Sequence, residues 1–544
     1  MTDAPKPFAI TLDPGSSRAN HTGSWRSERP VYVDRLPPCN AQCPAGENIQ
    51  GWLYHAESGD YAAAWQVLMQ DNPLPAVMGR VCYHSCEGAC NRATLDEAVS
   101  IHAVERFLGD YALDHGLRPQ VAAPPSGRRV LVVGAGPSGL SAAYHLTRLG
   151  HAVTIREAGP MAGGMMRFGI PRYRLPRDVL DAEIARILSL GVTLELNSKV
   201  ADIEAAFAEG FDAIFTAVGA HLAKRTEIPA HAAGRILDAA GFLARVEMGE
   251  APQLGRRVIV YGGGNTAMDV ARTVKRLGAD DAMVVYRRSR AQMPAHAFEA
   301  DEAEDEGVMM HWLRTITAVD GAAVTVEKMV IDATGRPQPT GEFEVLKADT
   351  LILALGQDAD TGFLARVPGV EVAPDGVVGV DARMMTGRPG LFAGGDMVPA
   401  ERTVTVAVGH GKKAARHIDA WLRGGALDAP ERHAPATFER LNTWYYDDAP
   451  RSLQAELALV RRQTGFDEVV QGLTEATALY EARRCLSCGN CFECDNCFGV
   501  CPDNAVIKLG PGNRFRIDYD YCKGCGLCAA ECPCGAIEMV PEIG

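Results

Sequence analysis

Eleven cysteines crowd residues 485–534, and their spacing specifies a chemistry. Cys491, Cys494, Cys497 and Cys501-Pro502 read C-x2-C-x2-C-x3-C-P, and Cys522, Cys525, Cys528 and Cys532-Pro533 repeat it. The x2 spacings curl the chain so that three thiolates grip one iron–sulfur cubane, while the distant fourth cysteine of each run serves the other cluster. That interleaving pairs Cys491, Cys494, Cys497 and Cys532 on one [4Fe-4S] cluster, and Cys522, Cys525, Cys528 and Cys501 on a second. Gly524 and Gly526 allow backbone N–H groups to face the sulfurs. Zinc does not explain eight ligands in this order. Cys485, Cys488 and Cys534 are surplus and are not expected as ligands. Cys39, Cys43, Cys82, Cys86 and Cys90 lie near the other end, and no cysteine falls between 91 and 484. In a reducing compartment such cysteines point to metal rather than disulfides.

The middle of the chain carries a different chemistry. After a linker at Ala122-Ala123-Pro124-Pro125-Ser126-Gly127, the strand Arg129-Val130-Leu131-Val132-Val133 runs into Gly134-Ala135-Gly136-Pro137-Ser138-Gly139 and then a helix. In this GxGxxG turn Gly134 permits the bend, Gly136 admits a pyrophosphate and Gly139 lets helix and strand close. The helix N-terminus faces the phosphates with free N–H groups. Glu157, 23 residues after Gly134, ends the next strand and can accept ribose hydroxyls. A second copy, Gly262-Gly263-Gly264-Asn265-Thr266-Ala267, follows Arg257-Val258-Ile259-Val260-Tyr261. Its next strand, Ala282-Met283-Val284-Val285-Tyr286, ends in Arg287-Arg288-Ser289-Arg290. Arginines there favour a 2′-phosphate, so this site is expected for NADP(H) and the first for FAD. No CxxC lies near the flavin site, which argues against a disulfide reductase.

Length and composition bound the rest. At roughly 150 residues per domain, 544 residues make three to four domains. A net charge of −14 and a pI near 5.5 argue against nucleic-acid binding, which needs a basic face. No apolar run approaches the roughly 18 residues of a membrane span. The first 30 residues are polar and lack a signal-peptide core, so a cytoplasmic location is expected. The acidic stretch 295–311, with Glu299, Asp301, Glu302, Glu304, Asp305 and Glu306, is read as a solvated helix face, with docking of a basic partner as the alternative. His410 is read as structural, with proton donation as the alternative. No catalytic residue is expected.

With these motifs in place, residues 35–425 resemble the glutamate synthase small subunit and the N-terminal part of dihydropyrimidine dehydrogenase. The likeness is carried by Gly163-Gly164-Met165 to Gly169-Ile170-Pro171, Arg174-Leu175-Pro176, Gly262 to Asp269, Tyr286-Arg287-Arg288, Leu391 to Asp396, and Thr403-Val404-Thr405. It implies a glutathione-reductase-like pair of domains with the NADPH domain inserted in the FAD domain. It also implies that Asp396 meets the ribityl or phosphate region of FAD, and that the following helix points its N-terminus at the flavin. Gly164 and Thr403 join the cofactor site by the same likeness. In that family the N-terminal region carries two [4Fe-4S] clusters, one with a non-cysteine ligand whose position matches Glu105. Carried over, Cys43, Cys82, Cys86 and Glu105 hold one cluster. The other retains only Cys39 and Cys90, since residues 31–38 lack the two cysteines expected there. Three clusters are therefore expected in all.

The expected fold is α/β: two Rossmann-like dinucleotide-binding domains with an N-terminal helical iron–sulfur domain and a C-terminal α+β bacterial-ferredoxin domain. The divisions expected are an extension (1–35), a helical iron–sulfur domain (36–121), an FAD domain (128–225 and 365–425), an NADPH domain (226–364), a connector (426–484) and a two-cluster ferredoxin domain (485–544). Flavin joins the two halves, because nicotinamide moves a hydride and clusters move single electrons. The C-terminal module also resembles the ferredoxin-like subunit of 2-oxoacid:ferredoxin oxidoreductases, and the fusion resembles the NADP-reducing subunit of such complexes. That likeness implies partner catalytic subunits or ferredoxin, with no nucleic acid and no membrane. The alternative is a glutamate synthase small subunit feeding electrons to its large subunit.

Overall fold

The structure, a computed structural model of the chain, describes residues 21–121, 123–224, 228–232, 235–427 and 433–542. The expectations for residues 1–20 and for Ala122 lie outside these. Six helices build the N-terminal region: Tyr61–Leu68 and, labelled here, α1 (Pro38–Gln42), α2 (Ile49–Ala56), α3 (Pro75–Val81), α4 (Ser85–Gly88) and α5 (Ile101–Asp114). The Asn48 side chain caps α2 by accepting the Gly51 N–H at 3.1 Å. Ile49, Trp52, Leu53 and Ala56 then form a helical stripe buried with Val104 and Leu108 of α5. Helices α3 and α5 cross in near contact. A Cβ at Gly79 would sit 2.4 Å from the Arg106 backbone, and one at Gly109 would sit 2.3 Å from Ala76 N.

The first dinucleotide unit is a five-stranded parallel sheet with spatial order Leu391–Ala393, Ala213–Thr216, Arg129–Val133, Ala152–Arg156, Thr193–Glu195. Val130 to Val133 are all buried, as expected of a parallel strand covered on both faces. Helix α6 (Pro137–Arg148) follows the Gly134 turn. The chain leaves this unit through Leu222–Ala223 and returns through Gln357–Asp358, and these two segments pair antiparallel. Between them lies a second parallel sheet, ordered Met309–Trp312, Asp281–Tyr286, Arg257–Tyr261, Thr350–Leu353, Arg235–Asp238. It carries α7 (Asn265–Arg276) and α8 (Ala297–Asp305). Helix α9 (Val404–Leu422) packs on α6, and α10 (Glu475–Arg483) packs on α5 and α2.

Two expectations need correction. The acidic stretch is not a solvated face throughout. Glu299 and Glu306 are buried; Glu306 accepts from Arg272 at 2.8 Å and Arg276 at 2.5 Å, and Glu299 pairs with Arg174 at 2.7 Å. Carboxylates reach such depth only with cationic partners; α7 brings Arg272 and Arg276 to Glu306, and the turn after Pro171 brings Arg174 to Glu299. The described part of residues 1–35 is not a free extension either. Glu28–Tyr32 pairs antiparallel with Ile537–Pro541 and completes the ferredoxin module. The strand Ile537–Pro541 would otherwise expose an unpaired edge, and the other end of the chain covers it. Among the described residues, no helix is long and apolar enough to cross a membrane.

Candidate redox site

A cavity of about 730 Å³ opens at the Gly134 turn. Of the residues expected to hold FAD, it is lined by Gly134, Gly136, Glu157, Gly164, Asp396 and Thr403. Gly139 lies outside the lining, where a Cβ would fall 1.9 Å from Gly134 O. Gly164 has φ +52°, and a Cβ there would sit 2.8 Å from Gly136 Cα, so two backbones meet at the cavity floor. Glu157 accepts the Ala135 and Gly159 N–H groups, each at 2.8 Å, which ties the acid to the turn. Burial pushes the Asp396 carboxyl up to about 6, while the Arg402 charge pulls the other way. Thr403 caps α9, accepting the Val406 N–H at 3.2 Å. His410 Nδ1 accepts the Gly395 N–H at 3.2 Å, and burial favours its neutral ring. That bond braces the turn carrying Asp396. Sequence reasoning passed over Ser138. Its buried hydroxyl lines the cavity at the start of α6 and has no partner among the described residues. An orphaned hydroxyl at a helix N-terminus fits a phosphate oxygen, so the chain's own groups fit FAD.

A second cavity of about 540 Å³ is lined by Gly262, Gly264, Thr266, Arg287 and Arg288. Among the described residues neither Arg287 nor Arg288 forms an ion pair, whereas Arg290 is bound by Glu304 at 2.7 Å and by Asp301. The Arg288 Nε is buried without a partner. Two unneutralised cations beside a Gly-rich turn fit a phosphorylated nucleotide. Asn265 is instead turned toward the first cavity, donating to the Tyr83 hydroxyl at 2.6 Å and accepting the His296 N–H at 3.0 Å. Thr266, Gly356 and Gln357 line both cavities, so the two sites open onto each other. Lys224 and Gln357 had no motif to reveal them.

The N-terminal thiols stand beside the first cavity. The Thr405 hydroxyl in the first turn of α9 donates to Cys82 Sγ at 3.1 Å, and the flanking Val81 and Tyr83 line the cavity. Glu105 is buried and accepts from Asn72 at 2.7 Å; Asn72 also donates to Glu47 at 3.1 Å. Burial pushes Cys82 up to about 12 and Glu47 to about 7, with Glu105 and Asp71, respectively, adding to the effect. Burial raises Cys43 and Cys86 further, and both face Cys82 and Glu47. The structure thus gathers Cys43, Cys82, Cys86 and Glu105, and adds Glu47, which no spacing marked. Three thiols and a carboxyl gathered in one buried place supply the four ligands that an iron–sulfur cluster needs.

In the C-terminal module Cys501, Cys522, Cys525 and Cys528 line one void. Cys491, Cys494 and Cys497 all face Cys532, whose Sγ lies 3.7 Å from Cys534. Backbone N–H groups reach the sulfurs, from Ala505 to Cys501 at 3.2 Å and from Ala536 to Cys532 at 3.3 Å. The Tyr32 hydroxyl from the N-terminal strand meets Cys497 Sγ at 3.2 Å.

Comparison with known proteins agrees with this inventory. Residues 128–411 match the pyridine nucleotide-disulphide oxidoreductase model. Residues 26–117 match dihydropyrimidine dehydrogenase domain II, 4Fe-4S cluster, and residues 515–538 match a 4Fe-4S binding domain. The chain is 37% identical to NADP(+)-dependent formate dehydrogenase subunit beta of Moorella thermoacetica, over 83% of this chain and 70% of that one. It is 34% identical to NADPH-Fe(3+) oxidoreductase subunit beta of Geobacter sulfurreducens, over 84% and 76%. It is 33% identical to the glutamate synthase [NADPH] small chain of Azospirillum brasilense, over 71% and 88%. The chain belongs to the pyridine nucleotide-disulphide oxidoreductase family, as an FAD- and iron–sulfur-dependent NAD(P)H oxidoreductase of the glutamate synthase small-subunit type.

Proposed function

We propose that this chain is the NADP(H)-facing subunit of a larger redox complex, with its C-terminal module as the port for single electrons. One observation carries the reading: the flavin cavity shares Thr266, Gly356 and Gln357 with the nucleotide cavity and lies against Cys82 through Thr405. Bound flavin exchanges a hydride with nicotinamide and single electrons with clusters. The Gly134–Gly139 turn, Ser138 and the N-terminus of α6 hold the pyrophosphate. Glu157 and Asp396 accept sugar and ribityl hydroxyls, and Thr403 directs the start of α9 at the ring. Arg287 and Arg288 hold the 2′-phosphate, and Thr266 and Gln357 set the approach of the two rings. Cys43, Cys82, Cys86 and Glu105 ligate the cluster next to the flavin. Cys491, Cys494, Cys497 and Cys532 ligate one ferredoxin cluster, and Cys501, Cys522, Cys525 and Cys528 the other.

The partner is a catalytic chain that oxidises its own substrate and releases electrons singly. The Moorella relative supports a formate-oxidising partner. The fusion of the flavoprotein part with the C-terminal ferredoxin module supports one that oxidises a 2-oxoacid. A glutamate synthase partner has less support, because 71% of this chain accounts for 88% of the Azospirillum small chain and the remaining 29% has no match there. Affinity isolation of the chain from its own cells, followed by substrate-dependent NADP+ reduction, tests the reading. NADP+ reduction by the co-isolated complex with formate or a 2-oxoacid supports it. A co-isolated glutamine-dependent synthase overturns it.

A further inference from the structure

Cys39, Cys90, Cys485 and Cys488 come from the two ends of the chain, and they line one void. It holds about 20 Å³, as does the void among Cys501, Cys522, Cys525 and Cys528 in the ferredoxin module. The second void is an internal standard, since its thiols carry a cluster-binding motif. Apolar Pro38, Leu53, Val99 and Ile101 and polar Gln50 and Arg92 stand in the wall of the first. All four cysteines are free, and no two of them are in hydrogen-bond contact. They surround the space instead of closing it. Cys39 faces Cys485, Cys90 and Cys488, and Cys485 and Cys488 both face Cys90. The Ser487 N–H donates to Cys485 Sγ at 3.4 Å, and the Asn91 side chain bonds to Cys488. Polar N–H groups aimed at sulfur are the usual surroundings of a cluster thiolate.

The surroundings fix the remote pair in place. Arg484, just before Cys485, is 2% exposed. It donates to Glu97 O at 2.7 Å, Ala449 O at 3.0 Å, Ala98 O at 3.1 Å and Glu481 at 2.9 Å. Its own carbonyl accepts from Arg92 at 2.7 Å. Just after Cys488, Gly489 has φ +75°, and a Cβ there would fall 2.4 Å from Arg35 Cβ.

We propose that Cys39, Cys90, Cys485 and Cys488 hold a fourth [4Fe-4S] cluster that passes electrons between the ferredoxin module and the flavin-side thiols. Its position gives it that role. Cys39 and Cys43 are one turn apart along α1, as are Cys86 and Cys90 along α4 and its end, about 6 Å of rise in each case. Cys488 precedes Cys491 by three residues. The cluster takes one electron from one neighbour and gives one to the other, with no bond made or broken and no proton moved. The relay role rests on the function proposed above; the metal site rests on the geometry alone.

The test uses the full chain purified without oxygen, with iron, acid-labile sulfide and zinc measured per FAD. About 16 iron with no zinc is expected from four cubanes. About 12 iron, with or without one zinc, overturns the site. Cys488→Ser and Cys39→Ser should each lose about four iron and four sulfide, keep the full FAD content, and still bleach the flavin with NADPH at the unmutated rate. NADP+ reduction driven by a one-electron donor should fall at least tenfold in both. Unchanged iron in either variant overturns the site. Lost iron with unchanged one-electron turnover overturns the relay and leaves the hydride function standing. Should both variants fail to fold, the metal count of the unmutated chain still decides.

Discussion

The void among Cys501, Cys522, Cys525 and Cys528 and the void among Cys39, Cys90, Cys485 and Cys488 are nearly the same size but are held in different ways. The first is built by chain within 28 residues, with backbone N–H groups turned onto its sulfurs. The second joins segments more than 390 residues apart and depends on α10, Arg484 and the Gly489 turn to bring them together. A local cradle needs mainly its own loop. A remote one needs the packing of two domains, so damage far from the thiols should reach it.

The largest expected effect breaks the remote cradle alone. Arg484→Ala leaves the buried Glu481 without its cationic partner, and removing one partner of a buried pair costs about 3–5 kcal/mol. Chemical denaturation should show that loss, and iron analysis should show loss at the remote site with the ferredoxin signals intact. Equal loss from both modules would contradict the distinction. The nucleotide site belongs with the local cradles, being a turn and the end of the next strand. Arg287→Ala should lower kcat/KM for NADPH by roughly 10–150-fold and leave NADH nearly unchanged, because each charge-assisted phosphate contact contributes about 1.5–3 kcal/mol. Equal efficiency of the two nucleotides in the unmutated protein would contradict this assignment.

Two smaller effects sharpen the contrast. Gly489→Ala places a methyl group against Arg35 at a left-handed backbone position and should cost about 1–3 kcal/mol of stability. EPR should show both modules perturbed, since the Gly489 N–H also donates to Cys534 O at 2.6 Å. The smallest effect is local to the flavin. Burial raises the Asp396 carboxyl to about 6 from its ordinary 3.8. Ribityl hydroxyls bind the ionised form, so FAD affinity should rise as pH passes upward through 6 and level off as ionisation completes. Between pH 5.5 and 7.5 the gain is on the order of fourfold, and Asp396→Asn should abolish it; titration of apoprotein with FAD measures both.

The same distinction explains what could be read from the residues. Gly134 and Gly262 turns, the strand before each and the helix after each are local patterns, and the structure has them. So are the C-x2-C runs. The pairing of Glu28–Tyr32 with Ile537–Pro541 was not legible, because it joins the two ends of the chain. The acids around α8 read as solvated because the cations that meet the two buried ones, Arg174, Arg272 and Arg276, are remote in sequence and arrive only through packing. Cys485 and Cys488 read as surplus in sequence because the thiols that share their void are equally remote. Cys39 and Cys90, which line the same void, precede them by more than 390 residues.

The central claim is that electrons cross this chain between NADP(H) and its C-terminal end by way of the flavin. NADP+ reduction by a one-electron donor, compared in the full chain and in one ending at Arg484, tests it most directly. Stopped-flow flavin bleaching by NADPH is followed in the same preparations. Both chains should bind FAD and bleach at the same rate, because hydride transfer needs only the two rings in contact. One-electron-driven turnover should fall to background in the shortened chain. Retained turnover in a folded, flavin-loaded chain ending at Arg484 would contradict the account.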